Sequence, residues 1–224
     1  MRWFNEFKRV IEEEKIRPED IYNMDETGFA LGTLAQTRVI VDKTCGMRYR
    51  ASPGRQEWLT SIECICADGT IISSFVIFSG KSLSQDWIPF DFDDSWRFSV
   101  TSKGWTSNDH AIDWLRQSFE PMTREKAAGR TRILIYDGHG SHITGQFLKH
   151  CEQNKIHVLI LSPHTSHLLQ PLDIDIFDSL RKIMTNQLDR IVHTQIHKIQ
   201  KREFIECYYN ARNIALTKQN IEST

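Results

Sequence analysis

Thr131-Arg132-Ile133-Leu134-Ile135-Tyr136-Asp137-Gly138-His139-Gly140-Ser141-His142 is the stretch whose reading decides the fold. Its first half is apolar and rich in β-branched residues, the pattern of a short buried strand. That strand stops abruptly at an acid and a glycine-containing loop. Just downstream, Thr144 to Asn154 has helical spacing, and His157 to Leu161 (HVLIL) is a second buried strand closed by Ser162-Pro163. Upstream, Asn108 to Phe119 places Ile112, Trp114, Leu115 and Phe119 at helical spacing, with Ser107 or Asn108 as the cap. Helices alternating with buried strands predict an α/β sheet with helices on its faces.

Working outward, Trp58 to Cys66 and Thr70 to Phe78 read as an antiparallel hairpin around the turn Ala67-Asp68-Gly69. Ser79 to Lys103 reads as an irregular excursion or one further strand, and Ala35 to Gln56 as a loop or irregular hairpin. Ile21 to Met24 is a short extended stretch that ends at Asp25. Before it, Trp3, Phe4, Phe7, Val10 and Ile11 mark an amphipathic helix over Arg2 to Ile16, stopped by Pro18. From Ile176 onward the pattern is helical, with an apolar stripe at Leu180, Ile183, Met184, Leu188, Ile191, Val192 and Ile199. A last helix covers Phe204 to Leu216.

The chain has 224 residues, 40% hydrophobic and 25% charged, enough to bury a core without disulfides or a structural metal. No apolar run of about 18 residues offers a membrane span, and Met1 to Val10 does not read as a signal peptide. The five cysteines are odd in number and include no CxxC pair, which fits free thiols in a reducing compartment. Cys64 and Cys66 are two apart in a strand and share a face. A net charge of −1 gives the whole chain no electrostatic pull on DNA. Two basic stretches are exceptions. One holds Arg38, Lys43, Arg48, Arg50 and Arg55 against the single acid Asp42, and the other holds Arg190, Lys198, Lys201 and Arg202. Arg48, Arg50 and Arg55, with Lys81 after Gly80, are candidate contacts to DNA phosphates; solvated surface is the plainer reading.

Three acids stand out by position. Asp25 ends the first strand, Asp137 ends the buried strand above, and Asp173 lies beyond the third strand where a helix begins. In open α/β sheets, ligands gather outside the carboxyl ends of strands. Carboxylates meeting there are costly to leave uncompensated, and each raises the pKa of the next. Two Mg²⁺ ions would remove that penalty, because Mg²⁺ takes a few carboxylates and completes its shell with water and phosphate. Two such ions about 4 Å apart can clamp an in-line phosphoryl displacement. Taken singly, each acid reads more readily as a turn or helix-cap carboxylate, and it is three of them in this strand order that shift the balance.

Three long motifs make the chain resemble the pogo branch of the DDE transposases, which includes the Tigger and jerky-like proteins and centromere protein B. They are Asn23-Met24-Asp25-Glu26-Thr27-Gly28-Phe29, Asp137-Gly138-His139-Gly140-Ser141-His142, and Pro163-His164-Thr165-Ser166-His167-Leu168-Leu169-Gln170-Pro171-Leu172-Asp173. The 35 residues between the second and third acids (138–172) are similar to the family spacing. Gly104-Trp105-Thr106 followed by Trp114-Leu115 also resembles the family's helix before the second acid. The likeness spans Pro18 to Ala215.

The resemblance implies a ribonuclease-H-like α/β fold, a mixed sheet with an antiparallel hairpin and helices on both faces. It also implies metal-dependent cutting and joining of DNA, with two Mg²⁺ (or Mn²⁺) on Asp25, Asp137 and Asp173. Asp175 rivals Asp173 for the third place, but Asp173 matches the motif better, and on a helix the two would point about 200° apart. Glu26, beside Asp25, would face the other side of its strand. His139 and His142 could orient a phosphate or the nucleophile; zinc held by these with His164 and His167 is the weaker alternative. The expected organisation is an N-terminal helix (1–17), a catalytic domain (18–202) and a truncated C-terminal helix (203–224). Only one helix precedes the first acid, so the expected chain lacks the family's helix-turn-helix DNA-binding module and reads as a fragment, a truncated copy or a host gene. DNA is the expected partner and the nucleus the expected compartment. The competing readings are a catalytically silent, domesticated chromatin-associated protein and a homodimer through the C-terminal helices.

Overall fold

The computed structural model describes residues 2–31, 57–137, 144–161, 169–194 and 199–223. Six strands form one sheet: β1 (Ile21–Leu31), β2 (Glu57–Cys66), β3 (Ile71–Ser79), β4 (Arg97–Thr101), β5 (Arg132–Tyr136) and β6 (Ile156–Ile160). Their order is β4-β3-β2-β1-β5-β6. β2 is antiparallel to both β1 and β3, whereas β1 with β5, β5 with β6, and β3 with β4 run parallel. The hairpin between β2 and β3 turns at Gly69, whose φ of +86° suits a residue without a Cβ. Asp68 Oδ1 accepts from the Thr70 backbone at 2.9 Å and fixes that turn. β5 is buried at every position because helices cover both of its faces, the usual situation of parallel strands.

Side-chain alternation sorts the strands into two faces. On one face Tyr22, Met24, Ile62, Cys64, Phe75, Ile77, Leu134 and Tyr136 pack against α2 (Asn108–Trp114), the turn Leu115–Phe119 that leads into α3 (Glu120–Ala127), and α4 (Gly145–Gln153). On the other, Ile133, Ile135 and Leu159 meet α1 (Arg2–Glu14). Farther along that second face, Leu59, Ile65, Val76 and Phe78 meet α5 (Phe177–Thr194) and α6 (Lys201–Ala215). A short α7 (Lys218–Ser223) follows. The result is the expected ribonuclease-H-like fold, a mixed sheet sandwiched by helices. Leu180 and Met184 of the apolar stripe are buried, and Ile183, Leu188, Ile191 and Ile199 pack against the same core. These positions serve the interior of this chain. Cys64 and Cys66 share the α2 face as expected, and Cys64, Cys66, Cys151 and Cys207 are free thiols.

Local structure departs from the sequence expectation at four places. β1 does not end near Asp25 but continues to Leu31, because β2 pairs with it in unbroken register from Tyr22↔Cys66 to Leu31↔Glu57. The helix expected to stop at Phe119 continues through a π turn (Leu115–Phe119) into α3 despite Pro121. A proline lacks the donor and crowds the carbonyl of the preceding turn, and the wider π turn just before it relieves that conflict. Ser107 sits at the N-cap of α2 without a capping bond; its hydroxyl pairs with His110 Nδ1 at 2.6 Å instead. Finally, α7 carries no apolar stripe of its own beyond Ile221, which is why it was not visible as a helix.

Candidate active site

Three segments from distant parts of the chain converge at the end of β5. β5 pairs with β1 only over Ile21 to Asn23 and stops at Tyr136. Asp25 and Asp137 therefore emerge beside each other, where β1 runs on past its shorter neighbour. Alternation along β1 puts Asn23, Asp25 and Thr27 on the face covered by α5, and Tyr22 and Met24 on the opposite face. Asp173 arrives from that covered side, on a π turn (Leu172–Ile176) that leads into α5.

Two buried amides tie these segments together. The Asn23 side chain donates to the Ile135 carbonyl on β5 and accepts from the backbone N–H of Leu172, both at 3.3 Å. One residue of β1 thus fixes the strand before Asp137 and the turn carrying Asp173. Gln170 donates to the Met24 carbonyl at 3.3 Å, pinning the approach to the same turn.

Asp25 is 8% exposed. Burial pushes its carboxyl well above the usual range, and Asp173 pushes it further, both by its charge and by a hydrogen bond between the two side chains. Asp137 adds repulsion, while a backbone hydrogen bond at Glu26 acts the other way. The structure therefore brings Asp137 and Asp173 each within electrostatic reach of the buried Asp25. Among the described residues, no three His, Cys, Asp or Glu side chains are drawn tightly enough to cage an ion by themselves. A hard divalent cation does not need such a cage, since it fills its shell with water and phosphate oxygens. An all-oxygen donor set with surplus negative charge fits Mg²⁺ or Mn²⁺ and not a thiolate- or imidazole-seeking metal.

The other expected site residues fall in different places. Asp175 is exposed, so of the two rival acids it is Asp173 that meets Asp25. Glu26 faces the opposite side of β1, where with Asp137 and Asp25 it helps raise the Tyr136 hydroxyl, whose main cause is burial. Lys81 is exposed, just beyond the end of β3. Arg48, Arg50, Arg55, His139 and His142 lie outside the described residues, as do His164 and His167. Within the second basic stretch, Lys201 is committed to Glu57 at 3.1 Å and to the Trp87 ring at 3.7 Å, and Arg202 pairs with Glu206 at 3.6 Å.

Sequence reasoning missed Asn23 and Gln170 as ties, although both stand inside quoted motifs; a polar residue inside an otherwise apolar strand was the available signal. It also missed Glu63. This fully buried acid is the Cα partner of Asp25 across β1 and β2. It accepts from Ser61 Oγ at 2.8 Å, Ser74 Oγ at 2.6 Å, Tyr208 OH at 2.6 Å and Arg212 Nε at 2.8 Å. Arg212 cancels its charge, so a fourth carboxylate stands beside the acidic corner as a neutralised strut joining α6 to the sheet.

A family model described as DDE superfamily endonuclease matches residues 55–224. Among solved structures, the mariner Mos1 paired end complex with Mg superposes with a TM-score of 0.53 at 12% identity, over 99% of this chain and 60% of that one. The Mos1 transposase paired-end complex with left transposon end gives 0.51 at 11% identity, with the same coverage. Identities this low speak for a shared fold. A curated protein from Cochliobolus lunatus named MFS-type transporter clz9 is 35% identical over 223 residues, and this chain spans 24% of its length. Among the described residues of this chain, no helix is long and apolar enough to cross a membrane.

Proposed function

This chain belongs to the DDE superfamily endonucleases, and on that premise we propose that it cleaves and joins DNA strands at Asp25, Asp137 and Asp173 with two Mg²⁺ or Mn²⁺ ions. The observation that carries the reading is the convergence of Asp137 and Asp173, from segments far apart in sequence, on the buried Asp25, whose carboxyl is forced up first by burial and then by these two acids. Such a cluster is unfavourable unless a proton or a cation offsets it. Bound there, two divalent ions would supply the charge neutralisation and oxygen activation that in-line displacement at phosphorus requires.

The chain's own residues supply position. β1 holds Asp25 rigidly in mid-strand, with β2 paired along its whole length. Asn23 keeps Asp137 and Asp173 in fixed relation to it through Ile135 and Leu172. Burial behind α5 excludes water from one side of the cluster. The three long motifs further support descent from the pogo branch, and a DNA substrate calls for nuclear residence.

The test is nicking of supercoiled plasmid with Mn²⁺ or Mg²⁺ by the wild type and by Asp25→Asn, Asp137→Asn and Asp173→Asn. Metal-dependent nicking lost in all three variants is the expected result. A thermal shift with Mn²⁺ runs beside it: at 100 times Kd a bound ion stabilises by about 2.7 kcal/mol, and Asp25→Asn should abolish that gain while stabilising the metal-free chain. A catalytically silent protein is the second reading, because a net charge of −1 gives the whole chain no electrostatic pull of its own on a DNA substrate. Absence of both nicking and a metal-induced shift in the wild type would establish it in place of the first.

A further inference from the structure

We infer that Trp105 and Trp58, flanked by Lys81 and Lys103, form a stacking platform for an unpaired base of a DNA strand passing the acidic site. The inference rests on the DNA-directed reading of that site. Trp105 is 52% exposed, an unusual situation for the largest apolar side chain. Its ring leans on that of Trp58, with centroids 5.0 Å apart and planes 30° from parallel. One indole is thus backed by another and offers a free face outward.

The turn presenting Trp105 is built to hold it there. Thr60 Oγ1 donates to the Gly104 carbonyl at 2.7 Å, and the Gly104 N–H donates to Thr101 Oγ1 at 2.8 Å. Thr101 Oγ1 donates in turn to the Trp105 carbonyl at 3.1 Å. Gly104 has a φ of +77°, and a Cβ there would collide with the Trp58 carbonyl. Glycine is therefore required for the turn to lie against β2. Rigid presentation lowers the entropy lost when a ligand binds. Tryptophan is well suited to a base, because every base has a π-face and stacking on an aromatic ring tolerates any sequence.

The surroundings fit a nucleic acid strand. β3 and β4 run parallel and end together, with the Gly80 N–H bonded to the Thr101 carbonyl at 2.8 Å. This brings Lys81 and Lys103 to one edge, both exposed, and neither forms an ion pair among the described residues. The nearby acid Glu57 is already neutralised by Lys201 at 3.1 Å. β1 links the platform to the acids: Ala30 is the Cα partner of Trp58, five residues on from Asp25. At about 3.3 Å per residue that is roughly 17 Å, the length of about five stacked nucleotides. Past Asn23 the edge of β1 away from β2 pairs with no strand among the described residues.

The experiment titrates the full chain, without divalent metal, against a labelled twelve-nucleotide oligo-dT and a blunt twelve-base-pair duplex, following anisotropy and tryptophan fluorescence. The wild type should prefer the single strand and show quenching. Trp105→Ala should weaken single-strand binding about tenfold, whereas Trp105→Phe should stay within about threefold. Lys81→Ala with Lys103→Ala should flatten the dependence on log salt by about 1.4, or about 0.7 per lysine. Because the titration holds no divalent metal, its outcome bears on the platform, and the nicking assay bears separately on the acidic site. Wild-type affinity in a Trp105→Ala chain that melts normally would overturn the inference. So would a Trp105→Ala change that affects only self-association, which would make the patch a contact for a second copy.

Discussion

Arg212→Met is the most demanding test of how the acidic corner is supported. It removes the 2.8 Å bond to Glu63 Oε2, the 2.6 Å bond to the Ile72 carbonyl, and a cation lying 5.2 Å from the Trp96 ring centroid. Methionine retains most of the apolar stem, so the cavity left behind is small. What remains is the Glu63 carboxylate with no cation. The two side chains are 8% and 0% exposed, so solvent screening does not discount the loss. Breaking a buried pair from one side costs about 3–5 kcal/mol. For a domain of this size each kcal/mol moves Tm by about 2–4 °C, giving a drop of roughly 6–20 °C. Because Glu63 stands opposite Asp25, its uncompensated charge also adds repulsion there, and apparent metal affinity should change with stability. The assay is urea unfolding of the wild type, Arg212→Met, Glu63→Gln and the double variant, with Mn²⁺ titration of each. A coupling of about 2 kcal/mol or more between the two substitutions is expected, within the range for contacting residues. A loss under about 1 kcal/mol for Arg212→Met, or strictly additive effects, would refute the idea that this pair neutralises a buried charge.

Asn23→Leu should cost about 1–3 kcal/mol, because the Ile135 carbonyl and the Leu172 N–H lose a buried partner. Plasmid nicking should fall by more than the stability loss explains, as Asp173 loses its fixed relation to Asp25; nicking at the wild-type rate would contradict this. Burial pushes Asp68 up, but hydrogen bonds from Lys126 and Thr70 prevail and hold its carboxyl well below the usual range. A depressed folded pKa stabilises above the unfolded value of about 3.9 and is lost as pH falls. The stability difference between wild type and Asp68→Asn should therefore be flat near neutral pH and shrink below about pH 4, as followed by urea midpoints. Burial raises the Cys66 thiol to about 11 and the Cys151 thiol to about 12. Both should resist alkylation at pH 8 in the native chain and react at once in denaturant, which mass-mapped labelling would show.

The sheet was largely legible because its cues are local. Apolar runs such as Arg132–Tyr136, turn formers such as Asp68-Gly69, and helical spacing in α1 and α5 each lie within a dozen residues. The length of β1 was not legible, since Glu26-Thr27-Gly28 has the composition of a turn and is held extended by β2, more than 30 residues away. α3 was hidden by Pro121, which signals an ending unless a π turn precedes it. At the site, alternation was enough to set Asp25 and Glu26 on opposite faces. The buried partners of Glu63 could not be foreseen: Tyr208 and Arg212 lie 145 and 149 residues away, and only folding brings them to its carboxylate. The amide ties of Asn23 and Gln170 escaped for the same reason.

The π turn at Leu172–Ile176 means that the azimuth of Asp173 is set separately from the phase of α5. The stripe of Leu180 and Met184 locks the helix against the sheet, and that lock would survive a change in winding just ahead of it. A π turn amounts to one residue inserted into an α-helix. Winding the same sequence as an ordinary α-helix, with no residue removed, would keep the stripe in place and swing Asp173 by about 100° around the helix axis. A single substitution that favours ordinary winding there could therefore disconnect the third acid from the other two while leaving the hydrophobic core untouched, a short route from a competent acidic cluster to a stable, inert scaffold.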